Sequence, residues 1–123
     1  MQLPLHCPVR SMELAHVRHK IRCGEEPDNP LLINHWLTEE NQGPESTRDE
    51  LRQRYESQFT LLLETIIDEL VPANWRCICL DNINRPLQSL KQISDSMQSD
   101  EQIQYLLREL AVQSHYVRHS LRF

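Results

Sequence analysis

Apolar residues along this chain recur at spacings of three and four, and that pattern predicts helices nearly throughout. Leu14, Val17 and Ile21 form a narrow seam. Ser11 would cap a helix over residues 12–23, and Gly24 would close it as the residue just past its end. Residues 1–10 hold two prolines and no period, which predicts an extended arm.

Glu25-Glu26-Pro27-Asp28-Asn29-Pro30 reads as a turn, with Asn29 as N-cap and Pro30 as the first residue of a second helix. That helix carries Leu31, Leu32, Ile33, Trp36 and Leu37, and stops before Asn41-Gln42-Gly43-Pro44. Thr47-Arg48-Asp49-Glu50 has the form of a capping box and opens the strongest periodic segment, about residues 47–71. Its Leu51, Tyr55, Phe59, Leu62, Leu63, Ile66, Ile67 and Leu70 share one broad arc, wide enough for more than one neighbour, with Glu50, Glu64 and Asp68 on the other side. Pro72 ends it.

Residues 73–85 fit two patterns. Trp75-Arg76-Cys77-Ile78-Cys79-Leu80 has the length of a short buried strand, while Trp75, Ile78, Cys79 and Ile83 also share a helical face. A lone strand leaves its backbone unpaired, so a helix or irregular turn is expected. Pro86 then begins a helix through Leu87, Leu90, Ile93 and Met97. Ser99-Asp100-Glu101-Gln102 forms a second capping box, and a last helix runs from about Asp100 nearly to the end. Ile103, Leu107, Leu110, Ser114, Val117 and Leu121 give it a coiled-coil-like seam. The expected fold is all-α: one domain over residues 1–123, a compact bundle of about five helices with an extended N-terminal arm.

Composition narrows the chemistry. The 123 residues include only two glycines, Gly24 and Gly43, too few and too far apart for a phosphate-cradling loop, a dinucleotide fingerprint or a nucleophile elbow. The net charge of −5 is uneven: residues 1–24 carry +3, residues 25–71 carry −9 and residues 72–123 carry +1. This disfavours a general nucleic-acid binder but leaves room for a local basic stripe. No apolar run reaches the length needed to span a membrane. Cys7, Cys23, Cys77 and Cys79 follow no recognisable signal peptide, so the expectation is free thiols in a reducing cytoplasm.

Two constellations stand out. Opposite the seam of the last helix, Tyr105, Val112, Tyr116 and Phe123 cluster in a narrow arc, flanked by Arg108, His115, Arg118, His119 and Arg122. Exposed aromatics beside arginine are what protein interfaces favour. The second is His16, His19 and Cys23, which share one side of the first helix with Met12. Three such donors would serve a small zinc module if Cys7, His6 or another residue supplied a fourth. His115 and His119 are spaced for metal too, but lack the glutamate of a zincin helix and sit where a helix C-terminus favours histidine. Cys7 beside His6, and acidic pairs such as Glu39-Glu40, do not assemble into nucleophile, base and oxyanion donor.

The expectation is therefore a non-catalytic regulatory or adaptor protein, chaperone-, anti-activator- or subunit-like, needing no cofactor. It would bind a protein partner through Tyr105, Arg108, Val112, Tyr116, Arg118, Arg122 and Phe123. A homodimer is a further possibility, because the acidic face at Glu50, Glu64 and Asp68 complements the arginine stripe. The alternatives are a nucleic-acid-binding transcriptional regulator using the Arg/Tyr face, and the zinc module at His16, His19 and Cys23.

Overall fold

The structure, a computed structural model, describes residues 6–43 and 46–120, and the side chains of residues 11–43 and 46–117. The described residues form six helices and no strand: α1 (His6–Cys23), α2 (Leu31–Asn41), α3 (Arg48–Ile67), α4 (Ala73–Asn82), α5 (Asn84–Ile93) and α6 (Met97–Ser120). Helix α3 is the axis of the bundle and packs against α1, α4, α5 and α6, while α2 lies on α1. The broad apolar arc read along α3 has this consequence, since a helix with several neighbours must bury more than one stripe. Ile33, Trp36, Phe59, Leu62, Ile66, Trp75, Cys79 and Ile83 form the centre of the core, each 1% exposed or less. Among the described residues no helix is long and apolar enough to cross a membrane.

The chain's punctuation sets the start of α3 and the end of α1. Thr47 Oγ1 accepts from the Glu50 N–H at 3.1 Å, and Glu50 Oε1 accepts from the Thr47 N–H at 2.9 Å, so both bonds of the capping box form. At the end of α1, Gly24 adopts φ +64. Its N–H donates to the Ile21 carbonyl at 3.2 Å, and the Glu25 N–H donates to Lys20 at 3.0 Å. This is a Schellman turn, in which the left-handed residue is nearly always glycine. Residues 73–82 are helical, and Trp75, Cys79 and Ile83 recur four apart on the buried side. Burial pushes the Cys79 thiol up to about 12. Cys23, Cys77 and Cys79 are free thiols.

Several boundaries differ from the expectation. The arm predicted over residues 1–10 is overtaken by α1, which already covers His6 through Arg10; residues 1–5 lie outside the described residues. Pro8 does not prevent this, because amides of the first turn have no partner inside the helix to lose. Ser11 is therefore inside α1 rather than its cap. Asn29 does not cap α2, since its amide donates to Glu26 at 3.0 Å. The segment expected to run to residue 71 stops at Ile67: Asp68 turns extended, with φ −85 and ψ 108. Ile67 is 41% exposed and Leu70 94% exposed as a result. Helix α5 ends at Ile93, and Met97 starts α6 instead. The cap of α6 is Ser96, whose Oγ accepts from the Ser99 N–H at 3.1 Å, so the box predicted at Ser99 lies one turn inside the helix.

A polar hub joins the first three helices. Arg18 of α1 donates from Nε and Nη2 to the two carboxylate oxygens of Glu40 on α2, both at 2.7 Å. Trp36 Nε1 and Gln58 Nε2 each add a bond to Glu40 at 3.0 Å. The Arg18 guanidinium also stands 5.3 Å from the centre of the Trp36 ring. Burial works to raise the Glu40 pKa, but the bonds from Arg18, Gln58 and Trp36 outweigh it and hold the carboxyl below its usual range. Gln58 is buried on α3 because this hub and Asn41 satisfy its amide.

Candidate functional site

Helix α6 is two-faced. Ser99, Ile103, Leu106 and Val117 are buried on the side that packs against α3 and α5, with Leu107 and Leu110 half-buried beside them. On the outer side Tyr105 and Val112 are each 51% exposed and Tyr116 is 65% exposed, with Arg108 exposed among them. The stripe from Tyr105 to Tyr116 spans about 16 Å at the rise of an α-helix. The structure thus brings Tyr105, Arg108, Val112 and Tyr116 onto one outward face. Arg118 lies in α6 with its side chain outside the described residues, and Arg122 and Phe123 are outside them altogether.

The Tyr116 ring meets the His115 ring edge-on, with centroids 5.8 Å apart. Tyr116 also lines a shallow cavity of about 120 Å³ with Ile67, Glu69, Arg76, Gln113 and Val117. Because α3 ends early, Ile67, which the helical periodicity placed in the apolar arc, adds exposed apolar surface beside the stripe. Nearer the start of α6, Met97, Asp100, Glu101, Gln104 and Arg108 line a wider concavity of about 460 Å³. Met97 is 78% exposed there.

The acidic residues proposed for self-association have partners inside the chain. Asp68 accepts from Arg22 Nη1 at 2.7 Å and from the Leu70 N–H at 2.9 Å, and these bonds hold its carboxyl below the usual range. Glu64 stands 4.0 Å from the same arginine. Glu50 is engaged in the capping box of α3.

At the end of α1, His19 and Cys23 come together as their spacing suggests, but His16 does not join them. The residue that does is Glu25. Cys23 Sγ is 3.8 Å from each ring nitrogen of His19, and Nε2 is 3.1 Å from Glu25 Oε2. All three side chains are exposed. Cys7 stands one long helix away, sixteen residues before Cys23 on α1. That is about 24 Å along the axis, so it is no fourth donor within the chain. Glu25 escaped the sequence reading because it lies beyond the helix. The clue was Cys23-Gly24-Glu25, a glycine positioned to fold the next residue back on the helix end.

Comparisons with protein-family models, with curated proteins and with solved structures find no match.

Proposed function

We propose that the chain is a non-catalytic binding protein, an adaptor or regulatory subunit, that docks another protein on the outer face of α6. The supporting observation is the row of Tyr105, Val112 and Tyr116, all at least half exposed on a helix whose opposite face is already packed. Large aromatics left in water beside an arginine are the residues from which interface anchors are drawn. Ile67 widens the apolar patch, and Arg108 provides a charged edge.

A partner with an apolar groove and acidic edges suits this surface better than a second copy. The acidic groups that a second copy would offer are held by Arg22 and by the α3 cap.

The test is native mass spectrometry of the full chain isolated gently from its source, beside a Tyr105→Ala/Tyr116→Ala variant. A defined heterocomplex is expected for the parent and its loss for the variant, with the melting midpoint and helical circular dichroism unchanged. A variant that keeps the complex, or that melts much earlier, would overturn the reading, the second because it would make these rings part of the core.

A further inference from the structure

The end of α1 presents a nitrogen, a sulfur and an oxygen donor on a backbone that is fixed from behind. We propose that His19, Cys23 and Glu25 bind a single Zn²⁺ ion, with the fourth position open to solvent.

The geometry fits the ion. With zinc–nitrogen and zinc–oxygen distances of about 2.0 Å and zinc–sulfur of about 2.3 Å, tetrahedral coordination sets N···S at about 3.5 Å and N···O at about 3.3 Å. The observed separations are 3.8 Å from Cys23 Sγ to His19 Nε2 and 3.1 Å from His19 Nε2 to Glu25 Oε2. The three donor atoms all lie within 4.8 Å of one another. A mixed sulfur, nitrogen and carboxylate set suits Zn²⁺ rather than Mg²⁺ or Ca²⁺, which prefer all-oxygen shells.

The backbone beneath the donors is rigid. Trp75 Nε1, wholly buried, donates to the Ile21 carbonyl at 2.8 Å, two residues before Cys23. Gly24 sits so tightly on the segment leading into α4 that an added Cβ would stand 2.9 Å from Val71 Cγ1 and 3.2 Å from Trp75 Cδ1. The Schellman turn then returns Glu25 to the helix end. The neighbouring cation Lys20 gives its hydrogen bond to Glu26, at 2.8 Å, rather than to Glu25. The C-terminal carbonyls of α1 also favour positive charge at this end. On binding, the Cys23 thiol gives its proton to water and the ion takes the thiolate.

The experiment uses the full, reduced, chelator-treated chain and Co²⁺ alone as the probe, followed by displacement with Zn²⁺. The expected result is one Co²⁺ per chain, with visible bands of a tetrahedral ion and a near-ultraviolet thiolate charge-transfer band, all removed by Zn²⁺. Cys23→Ser should abolish the charge-transfer band. His19→Ala and Glu25→Gln should each weaken binding at least about tenfold, as loss of one of three ligands does. Because all three positions are exposed, helical circular dichroism should not change. Cys7→Ser and Cys77→Ser should leave the titration as it is. The proposal is overturned by absence of the charge-transfer band, by a band that survives Cys23→Ser or follows another cysteine, or by unweakened binding in Glu25→Gln.

Discussion

Arg18 and Glu40 meet as a parallel pair, Nε to one carboxylate oxygen and Nη2 to the other, and in doing so join α1 to α2. The pair is largely enclosed, with Glu40 only 11% exposed at its side chain. Glu40→Ala would strand the Trp36 N–H and the Arg18 charge together, and leave the Gln58 amide only its bond to Asn41. Breaking an enclosed pair in this way costs about 3 kcal/mol. Arg18→Met with Glu40→Gln should cost less than the two single changes added, and a double-mutant cycle read by urea unfolding measures the difference.

The same carboxylate gives the chain a dependence on acid. The Glu40 pKa lies below its ordinary 4.5 and the Asp68 pKa below its ordinary 3.8. A carboxyl whose folded value is depressed adds stability that is complete above its unfolded value and is lost as pH falls through its folded value. The melting midpoint should therefore hold between about pH 5 and 7 and decline below about pH 4.5. In Glu40→Gln the midpoint should start lower at neutral pH and decline less steeply. An equal slope in both proteins would show that Glu40 contributes nothing to the acid transition.

Gly24→Ala tests the turn at the end of α1. The substitution forces a side chain onto φ +64, with Val71 Cγ1, Pro72 Cδ and Trp75 Cδ1 at 2.9, 3.1 and 3.2 Å from the new carbon. None of these belongs to a long flexible side chain that swings aside. A loss of roughly 2–3 kcal/mol is expected, or roughly 10 °C in melting midpoint for a chain of this size. Gly43→Ala, with only Arg54 Nη2 at 3.6 Å, should move the midpoint far less.

Thr47→Ala and Ser96→Ala each remove a side-chain acceptor from a helix N-terminus, and each should cost about 1 kcal/mol. Chemical denaturation of the two variants checks both. The result at Ser96 also distinguishes the observed start of α6 from one at Ser99.

What the sequence revealed was local, and what it hid depended on contacts across the fold. The capping box at Thr47 and the glycine at position 24 act on backbone within a few residues, so their effects could be read directly, whereas Pro72, expected to end α3, instead stands just before α4. The helical phase of Leu70 could not be relied on, because the chain leaves the helix at Asp68, where Arg22 from α1 holds the carboxylate. Gln58, Leu61 and Thr65 lie off the apolar arc yet are buried, since α3 is surrounded and its polar members find partners in Glu40, Asn41 and the Leu61 carbonyl. At the candidate sites, helical spacing alone placed Tyr105, Val112 and Tyr116 together, and likewise His19 with Cys23. Glu25 depended on a left-handed turn that periodicity does not show, and His16, on the same side of α1 by its spacing, is not among the donors that come together.

The depth of Cys79 makes the chain its own unfolding clock. Thiolate is the form that attacks alkylating reagents, so they will modify exposed Cys23 but leave the neutral, enclosed thiol of Cys79 untouched while the core stays shut. In a Cys7→Ser/Cys23→Ser/Cys77→Ser background, slow modification in native buffer would then count the openings of the whole molecule, with no denaturant and no attached dye.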